Sequence, residues 1–510
     1  MSAMSDIVSG VAAGYTFAGP ALDLGALVVA GEPVAAAQIR VPLGMLNRHG
    51  LVAGATGTGK TKTLQSMAEQ LSDNGVPVFL ADIKGDLSGL ATPGQPGDKL
   101  AARTSVIGQP WRPTAYPVEF YALGGDGAGI PVRATITSFG PTLLAKVLGL
   151  NTTQESSLGL VFMFADGKGL PLLDLKDLRA VIQHLTGDEG KDALAALGGL
   201  SKQTAGVILR ELLTLEAQGA GVFFGEPAFD PVDLLRTAPD GRGVISCLEL
   251  PTLQERPQLF STFLMWLLAE LFEDLPEVGD PDKPKLVFFF DEAHLLFTGA
   301  SKAFLQSITQ TMRLIRSKGV GVFFVTQTPK DVPADVLGQL GSRVQHALRA
   351  FTPDDAKALK ATVSTFPRSS YDLEEVLTGL GIGEAVVTVL SDQGVPTPVA
   401  WTRLRAPQSL MAPSAAALVQ QVVTSSPLYG KYAQAVDRES AYEMLTTTIA
   451  PPAAPAPRRT PSPAAAPPPE PDLVEKVLGS PAVRSFARSM AGSLGREITR
   501  GIFGTAKRRR

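Results

Sequence analysis

Eight consecutive residues, Gly54-Ala55-Thr56-Gly57-Thr58-Gly59-Lys60-Thr61, constrain this chain more than any other stretch. They follow the pattern of a glycine, four free positions, then Gly-Lys-Ser/Thr. The apolar piece Leu51-Val52-Ala53 runs into them. A helical pattern runs out of them, with Leu64, Met67, Ala68 and Leu71 on one face and Gly75 as its stop. Strand, glycine-rich loop and helix together make a phosphate cradle. Glycines adopt backbone conformations closed to residues with a Cβ, so successive N–H groups turn inward toward phosphate oxygens. The helix start adds its positive dipole end. Lys60 would reach the β- and γ-phosphates, and the Thr61 hydroxyl would ligate Mg²⁺. The expected ligands are therefore ATP and Mg²⁺.

A second motif is Leu286-Val287-Phe288-Phe289-Phe290-Asp291-Glu292. Five apolar residues with no helical period read as a strand buried on both faces of a parallel sheet. The two carboxylates at its end stand where open α/β sheets place ligands. Asp291 would hold Mg²⁺ through its water shell, and Glu292 would polarise the water that attacks the γ-phosphate. Acids at a strand end also serve as helix caps. The phosphate loop upstream is what favours the catalytic reading.

A third element, Val320-Gly321-Val322-Phe323-Phe324-Val325, is another buried-strand run ending at Thr326-Gln327-Thr328-Pro329. Gln327 is the candidate sensor of the γ-phosphate, the alternative being a solvated strand end. Between these strands lie Arg313 and Arg316. In a ring ATPase one of them would serve the neighbouring subunit as an arginine finger, Arg316 first, Arg313 second and Arg343 third. The alternative is a helix end enriched in cations to complement its dipole.

With these motifs in place, the chain resembles the HerA/FtsK superfamily of P-loop motor ATPases, and within it the HerA-like helicase-domain proteins. Further support comes from Arg48-His49-Gly50-Leu51, Asp82-Ile83-Lys84-Gly85-Asp86, Gln339-Leu340-Gly341-Ser342-Arg343-Val344-Gln345-His346 and Arg349-Ala350-Phe351-Thr352-Pro353. The resemblance covers most of residues 15–410. It implies an α/β fold with a RecA-like core, ATP hydrolysis at subunit interfaces, a homo-oligomer of hexamer type, and DNA in a central pore. About fifty residues precede the phosphate loop, fewer than a usual domain. They read as short strands and not as the amino-terminal β-barrel of the HerA proteins that process DNA ends.

A chain of 510 residues exceeds what one core usually supports. Its 45% hydrophobic and 19% charged residues are those of a globular protein. The first residues lack a cationic stretch followed by an apolar run, and the most apolar helical segment, Leu259 to Leu271, is too short to span a bilayer. A cytoplasmic protein with no integral membrane segment is expected. The single cysteine, Cys247, reads as a core thiol, and the four histidines form no metal-ligand spacing.

The chain divides into a short β segment (1–39), an ATPase core with a mostly parallel sheet (40–86 and 244–410), a mostly helical insert (87–243), and a helical extension (411–449). Extended segments are expected at 104–107 and 132–136 within the insert. Residues 450–472 form a disordered proline-rich linker. Residues 473–510 then carry nine cations against two acids, a net of +7. The whole chain is formally −3, which leaves residues 1–472 at −10. Such a basic, amphipathic tail fits DNA or another acidic surface. Two functional readings stay open. One is a translocase that moves on DNA. The other is an ATP-switched assembly protein that does not translocate.

Overall fold

The apolar run Leu286–Phe290 is a strand with every residue buried in the computed structural model, which describes residues 2–125, 127–196, 198–250, 257–297 and 302–449. It belongs to a sheet whose strands, in chain order, are β1 (Ala21–Val29), β2 (Glu32–Pro42), β3 (Gly50–Ala53), β4 (Val78–Asp82), β5 (Val118–Leu123), β6 (Ile130–Val132), β7 (Ile245–Glu249), β8 (Leu286–Phe290), β9 (Val320–Thr326), β10 (Ser342–Gln345), β11 (Glu384–Thr388) and β12 (Ala400–Leu404). Across the sheet the order is β2-β1-β12-β11-β10-β3-β9-β8-β4-β7-β5-β6. From β10 to β6 every neighbouring pair is parallel. The four strands beyond β10 pair antiparallel. The mostly parallel α/β architecture expected from the sequence is the one observed.

The register explains the phenylalanine run. Phe288 stands opposite Phe79 on β4, while Phe289 and Phe290 stand opposite Phe323 and Phe324 on β9. The ring pairs are 5.0, 5.2 and 5.8 Å apart between centroids. Each buried ring contributes roughly 1.5–3 kcal/mol through removal from water. Beside them Gly50 lies against the Phe323 ring, where an added Cβ would come within 2.2 Å of a ring carbon. The helix Lys60–Asp73 covers this core with Leu64, Met67, Ala68 and Leu71. It stops at Asn74 and Gly75, whose φ of +67° suits glycine. Among the described residues no helix is long and apolar enough to cross a membrane.

Local expectations differ from the structure in three places. The amino terminus begins with a helix, Ser2–Gly14, before β1 and β2 pair along most of their length. Residues Asp98–Val106 are helical where an extended segment was expected at 104–107. The β-branched residues there are outweighed by a tertiary anchor, because Arg103 Nη2 donates to the carbonyls of Gly383 (2.6 Å) and Leu404 (2.9 Å). The extended piece expected at 132–136 ends early, because Thr135 starts the helix Ile136–Val147 with a capping box.

The described chain forms two compact units. Residues 2–132 and 229–434 make one, which holds the whole sheet; residues 133–228 and 435–449 make the other. The insert expected over 87–243 is therefore divided, since β5 and β6 extend the sheet beyond β7. The second unit is helical. Its helix Leu175–Thr186 buries Leu175, Leu178, Val181, Ile182 and Leu185, spaced to line one face. Phe139 packs edge-on against Phe223 and Phe224. Buried Asp177 accepts from the backbone N–H groups of Leu173 (2.8 Å) and Tyr442 (3.0 Å), which fastens the helix Ala441–Ile449 onto this unit. The proline-rich linker and basic tail expected over 450–510 lie outside the described residues.

Candidate nucleotide site

The carboxyl ends of β3, β9, β8 and β4 stand side by side, and each carries a polar residue or loop. The loop after β3 is Gly54 to Gly59. Gly57 and Gly59 take φ of +80° and +109°, conformations that glycine adopts without a Cβ penalty. Two backbone bonds tie the loop's start to neighbouring strands: Gly54 N–H donates to Thr326 (3.2 Å) and Ala55 N–H to Ala347 (2.8 Å). A Cβ on Gly54 would stand 2.4 Å from His346 Cβ. Lys60, buried, donates from Nζ to the carbonyls of Gly54 (2.7 Å) and Ala55 (3.1 Å). Thr61 follows on the first turn of the helix and is half-buried.

His346, just beyond β10, braces this loop from beneath. Its Nδ1 lies 3.1 Å from the carbonyl of Thr58 and its Nε2 3.0 Å from the Thr63 hydroxyl. A carbonyl only accepts, so Nδ1 carries the proton and Nε2 accepts from Thr63. Burial, assisted by the charge of Lys60, pushes the imidazole down to about 3. The sign of the pH effect follows. The unfolded chain takes up a proton near the ordinary value of 6.5, whereas the folded site stays neutral to about 3. Acid therefore favours unfolding within that window, by about 1.4 kcal/mol per pH unit. We expect His346→Gln to be less stable than wild type at pH 7 by about 1–3 kcal/mol. That gap should narrow steadily as pH falls from 6.5, because only the wild type must keep a histidine neutral. Urea unfolding of both proteins at pH 7, 6 and 5 measures it, and a gap independent of pH would contradict a buried neutral His346.

β8 ends in Asp291 and Glu292, both buried. Asp291 Oδ1 accepts the Glu292 N–H at 2.9 Å. Burial raises the Asp291 carboxyl to about 6 against the opposing pull of Lys84. Its Oδ2 is buried with no hydrogen-bond partner. A buried carboxylate oxygen with nothing to accept from fits a cation and its water shell. Among the described residues no group of three or more His, Cys, Asp or Glu would hold a metal alone. Mg²⁺ here would be shared between Thr61, Asp291 and bound phosphates.

Glu292 takes φ +48°, unusual for a residue with a side chain. Strain of this kind costs of order 1–3 kcal/mol and gathers at functional sites. Its Oε1 lies 2.5 Å from Lys84 Nζ and its Oε2 3.2 Å from His294 Nδ1. Burial alone would raise this carboxyl, but the hydrogen bond and charge of Lys84, with His294 and Lys60, hold it below the ordinary range. Burial likewise lowers Lys60, partly offset by Glu292 and Asp291. Lys60, Lys84, Asp291 and Glu292 thus form one electrostatic cluster. Gln327, at the end of β9 between the loop and the acids, is exposed.

The two arginines lie elsewhere. Arg313 is exposed in the last turn of the helix Lys302–Ile315. Arg316 ion-pairs with Asp280 at 3.5 Å, four residues before β9 begins. They precede β9 and the phosphate loop follows β3, so the length of the parallel strands, roughly 20 Å, separates them from Lys60 in the same chain. Arg343, near the start of β10, donates to the Thr365 hydroxyl at 2.5 Å. Neither Lys84 nor His346 was singled out from the sequence as a site residue. The available signal for Lys84 was a charged residue just past a buried strand, the same signal that marked Asp291 and Glu292.

Comparisons with known proteins bear on this geometry. A family model described as helicase HerA-like C-terminal matches residues 28–510. No curated protein matches the chain. Among solved structures, the bacterial conjugative coupling protein TrwB, in its unbound monoclinic form, is 16% identical with a TM-score of 0.52, over 80% of this chain and 94% of that one. TrwB in complex with the ATP analogue ADPNP is 17% identical with a TM-score of 0.51, over 78% and 98%. Its complex with ADP and Mg²⁺ gives 17% and 0.51, over 79% and 98%. At these identities the likeness establishes the fold.

Proposed function

We propose a function from one premise: the chain belongs to the helicase HerA-like C-terminal family. It is an ATPase that works as a homo-oligomeric ring, of hexamer type, and couples hydrolysis to movement on DNA. One observation carries the ATPase reading. Lys60, Lys84, Asp291 and Glu292 gather at the carboxyl ends of neighbouring parallel strands, beside a glycine loop fit for phosphate. The ADPNP and the ADP–Mg²⁺ complexes of TrwB support ATP and Mg²⁺ as the ligands.

The residues divide the work. The loop N–H groups and Lys60 hold the β- and γ-phosphates and meet the charge that develops there. Glu292 orients the attacking water and draws its proton. Gln327 bridges that water and the γ-phosphate. Bound Mg²⁺, held by Thr61 and Asp291, would neutralise phosphate charge. Phosphate release with and without linear duplex DNA tests the whole reading. Stimulation of several-fold by DNA is expected. Hydrolysis indifferent to DNA would leave an ATP-switched assembly protein, and no hydrolysis in any oligomeric state would sink both readings.

Arg316 is the proposed finger to the neighbouring subunit, with Arg313 next. Its distance from Lys60 in its own chain supports a role across an interface. Arg316→Ala should bind ATP and lose hydrolysis by about 10³–10⁵. Mixing it with Lys60→Ala subunits should restore part of the activity, since some interfaces then pair an intact pocket with an intact arginine. If mixed oligomers, verified by mass, recover nothing, Arg316 acts only within its own chain.

A further inference from the structure

We propose that Lys84 is a positioning residue that reports the terminal phosphoryl group of a nucleoside triphosphate to Glu292, leaving the carboxylate when that group arrives. The proposal rests on the ATPase reading above and adds to it a residue the motifs do not assign. The turn after β4 is built to aim this side chain. Buried Asp82 accepts from the N–H groups of Lys84 (3.1 Å), Gly85 (2.8 Å) and Leu87 (2.8 Å). Gly85 takes φ +72°, which closes the turn. β4 pairs with β8, so the turn sits beside the acidic strand end.

Glu292 Oε1 is held by Lys84 Nζ at 2.5 Å, while Oε2 lies 3.2 Å from His294 Nδ1 and accepts no hydrogen bond among the described residues. A carboxylate tied this closely to an ammonium group is a weaker base and is poorly placed to take a water proton. One member of the Lys84–Glu292 pair must move to free it, and exposure identifies which. The Lys84 side chain is 39% exposed and that of Glu292 10%. Lysine is a compact charge on a flexible four-carbon stem, whereas Glu292 is held by a strained backbone and its packing. A γ-phosphate offers Lys84 a more concentrated anion than the carboxylate. The charge of Lys84 is felt at Lys60, so the two ammonium groups belong to one electrostatic cluster. A diphosphate stops short of the position that would draw Lys84 away.

The test compares binding of ADP and of a non-hydrolysable ATP analogue to the full chain, together with turnover. Lys84→Met should weaken the analogue roughly 10- to 100-fold and leave ADP unchanged, while turnover falls by a similar factor or more. Lys84→Arg should recover most of the preference for the triphosphate. Glu292→Gln releases the lysine from competition, so it should bind the analogue more tightly than wild type, and Lys84→Met in that background should erase the gain. If Lys84→Met lowers stability but keeps the wild-type ratio of analogue to ADP affinity, Lys84 is a structural strut and the proposal fails. A gain from Glu292→Gln that survives Lys84→Met also overturns it. A wild-type chain that binds neither nucleotide would overturn the ATPase reading along with it.

Discussion

Lys60→Ala is expected to fold and to hydrolyse ATP at least about 10²–10³-fold more slowly than wild type, which is the scale for losing one preorganised group at developing charge. The structure explains why the loss should be catalytic rather than global. Among the described residues, Lys60 Nζ donates hydrogen bonds to two carbonyls of its own loop, Gly54 and Ala55. The Ala55 carbonyl lies beside exposed Thr56, so water can replace the ammonium there, while the Gly54 carbonyl is buried. The loop keeps its other ties, to Thr326, Ala347 and His346. The deletion removes the cation that would sit on the β- and γ-phosphates. It also removes one of the positive charges beside Asp291 and Glu292, leaving Lys84 in place. ATP affinity should fall together with turnover. A folded Lys60→Ala protein, with an unchanged melting temperature and wild-type turnover, would remove the phosphate site from this loop.

Glu292→Gln is the second large effect, an expected loss of about 10²–10⁴ in turnover with ATP still bound. Glutamine keeps the shape and can hydrogen-bond, but it lacks the charge that draws a proton from water. Two consequences separate this from simple damage. The strained backbone at φ +48° is kept, so stability should change little. Lys84 loses its ion pair, so ATP should be held longer and the oligomer that forms around it should persist. Single-turnover phosphate release and ATP retention after gel filtration measure both. Hydrolysis within a few-fold of wild type would move the base elsewhere, to Asp86 first, whose Oδ1 is buried without a hydrogen-bond partner on the turn that carries Lys84.

The parts of this site that were legible from the chain are those made by contiguous residues. Gly54 to Thr61 carries its own backbone geometry, because glycine at Gly57 and Gly59 permits the positive φ the loop uses and the helix follows at once. Leu286 to Glu292 is similar: five apolar residues force burial on both faces, and the acids that follow must emerge at a strand end. Sequence alone determined a parallel α/β core with a phosphate loop and an acidic strand.

The rest depended on which strands became neighbours. His346 braces the phosphate loop through Thr63, 283 residues away, only because β10 pairs with β3. Lys84 reaches Glu292 only because β4 pairs with β8, and Arg316 stands apart from Lys60 because it precedes β9 while the loop follows β3. The helix at Asp98–Val106 prevailed over residues inclined to extend, because Arg103 found two distant carbonyls. Each of these contacts joins segments with no local pattern in common. Their energy appears only once the sheet has brought the strand ends together, so tertiary structure alone decided how the Glu292 carboxylate is held and what braces the loop beside it.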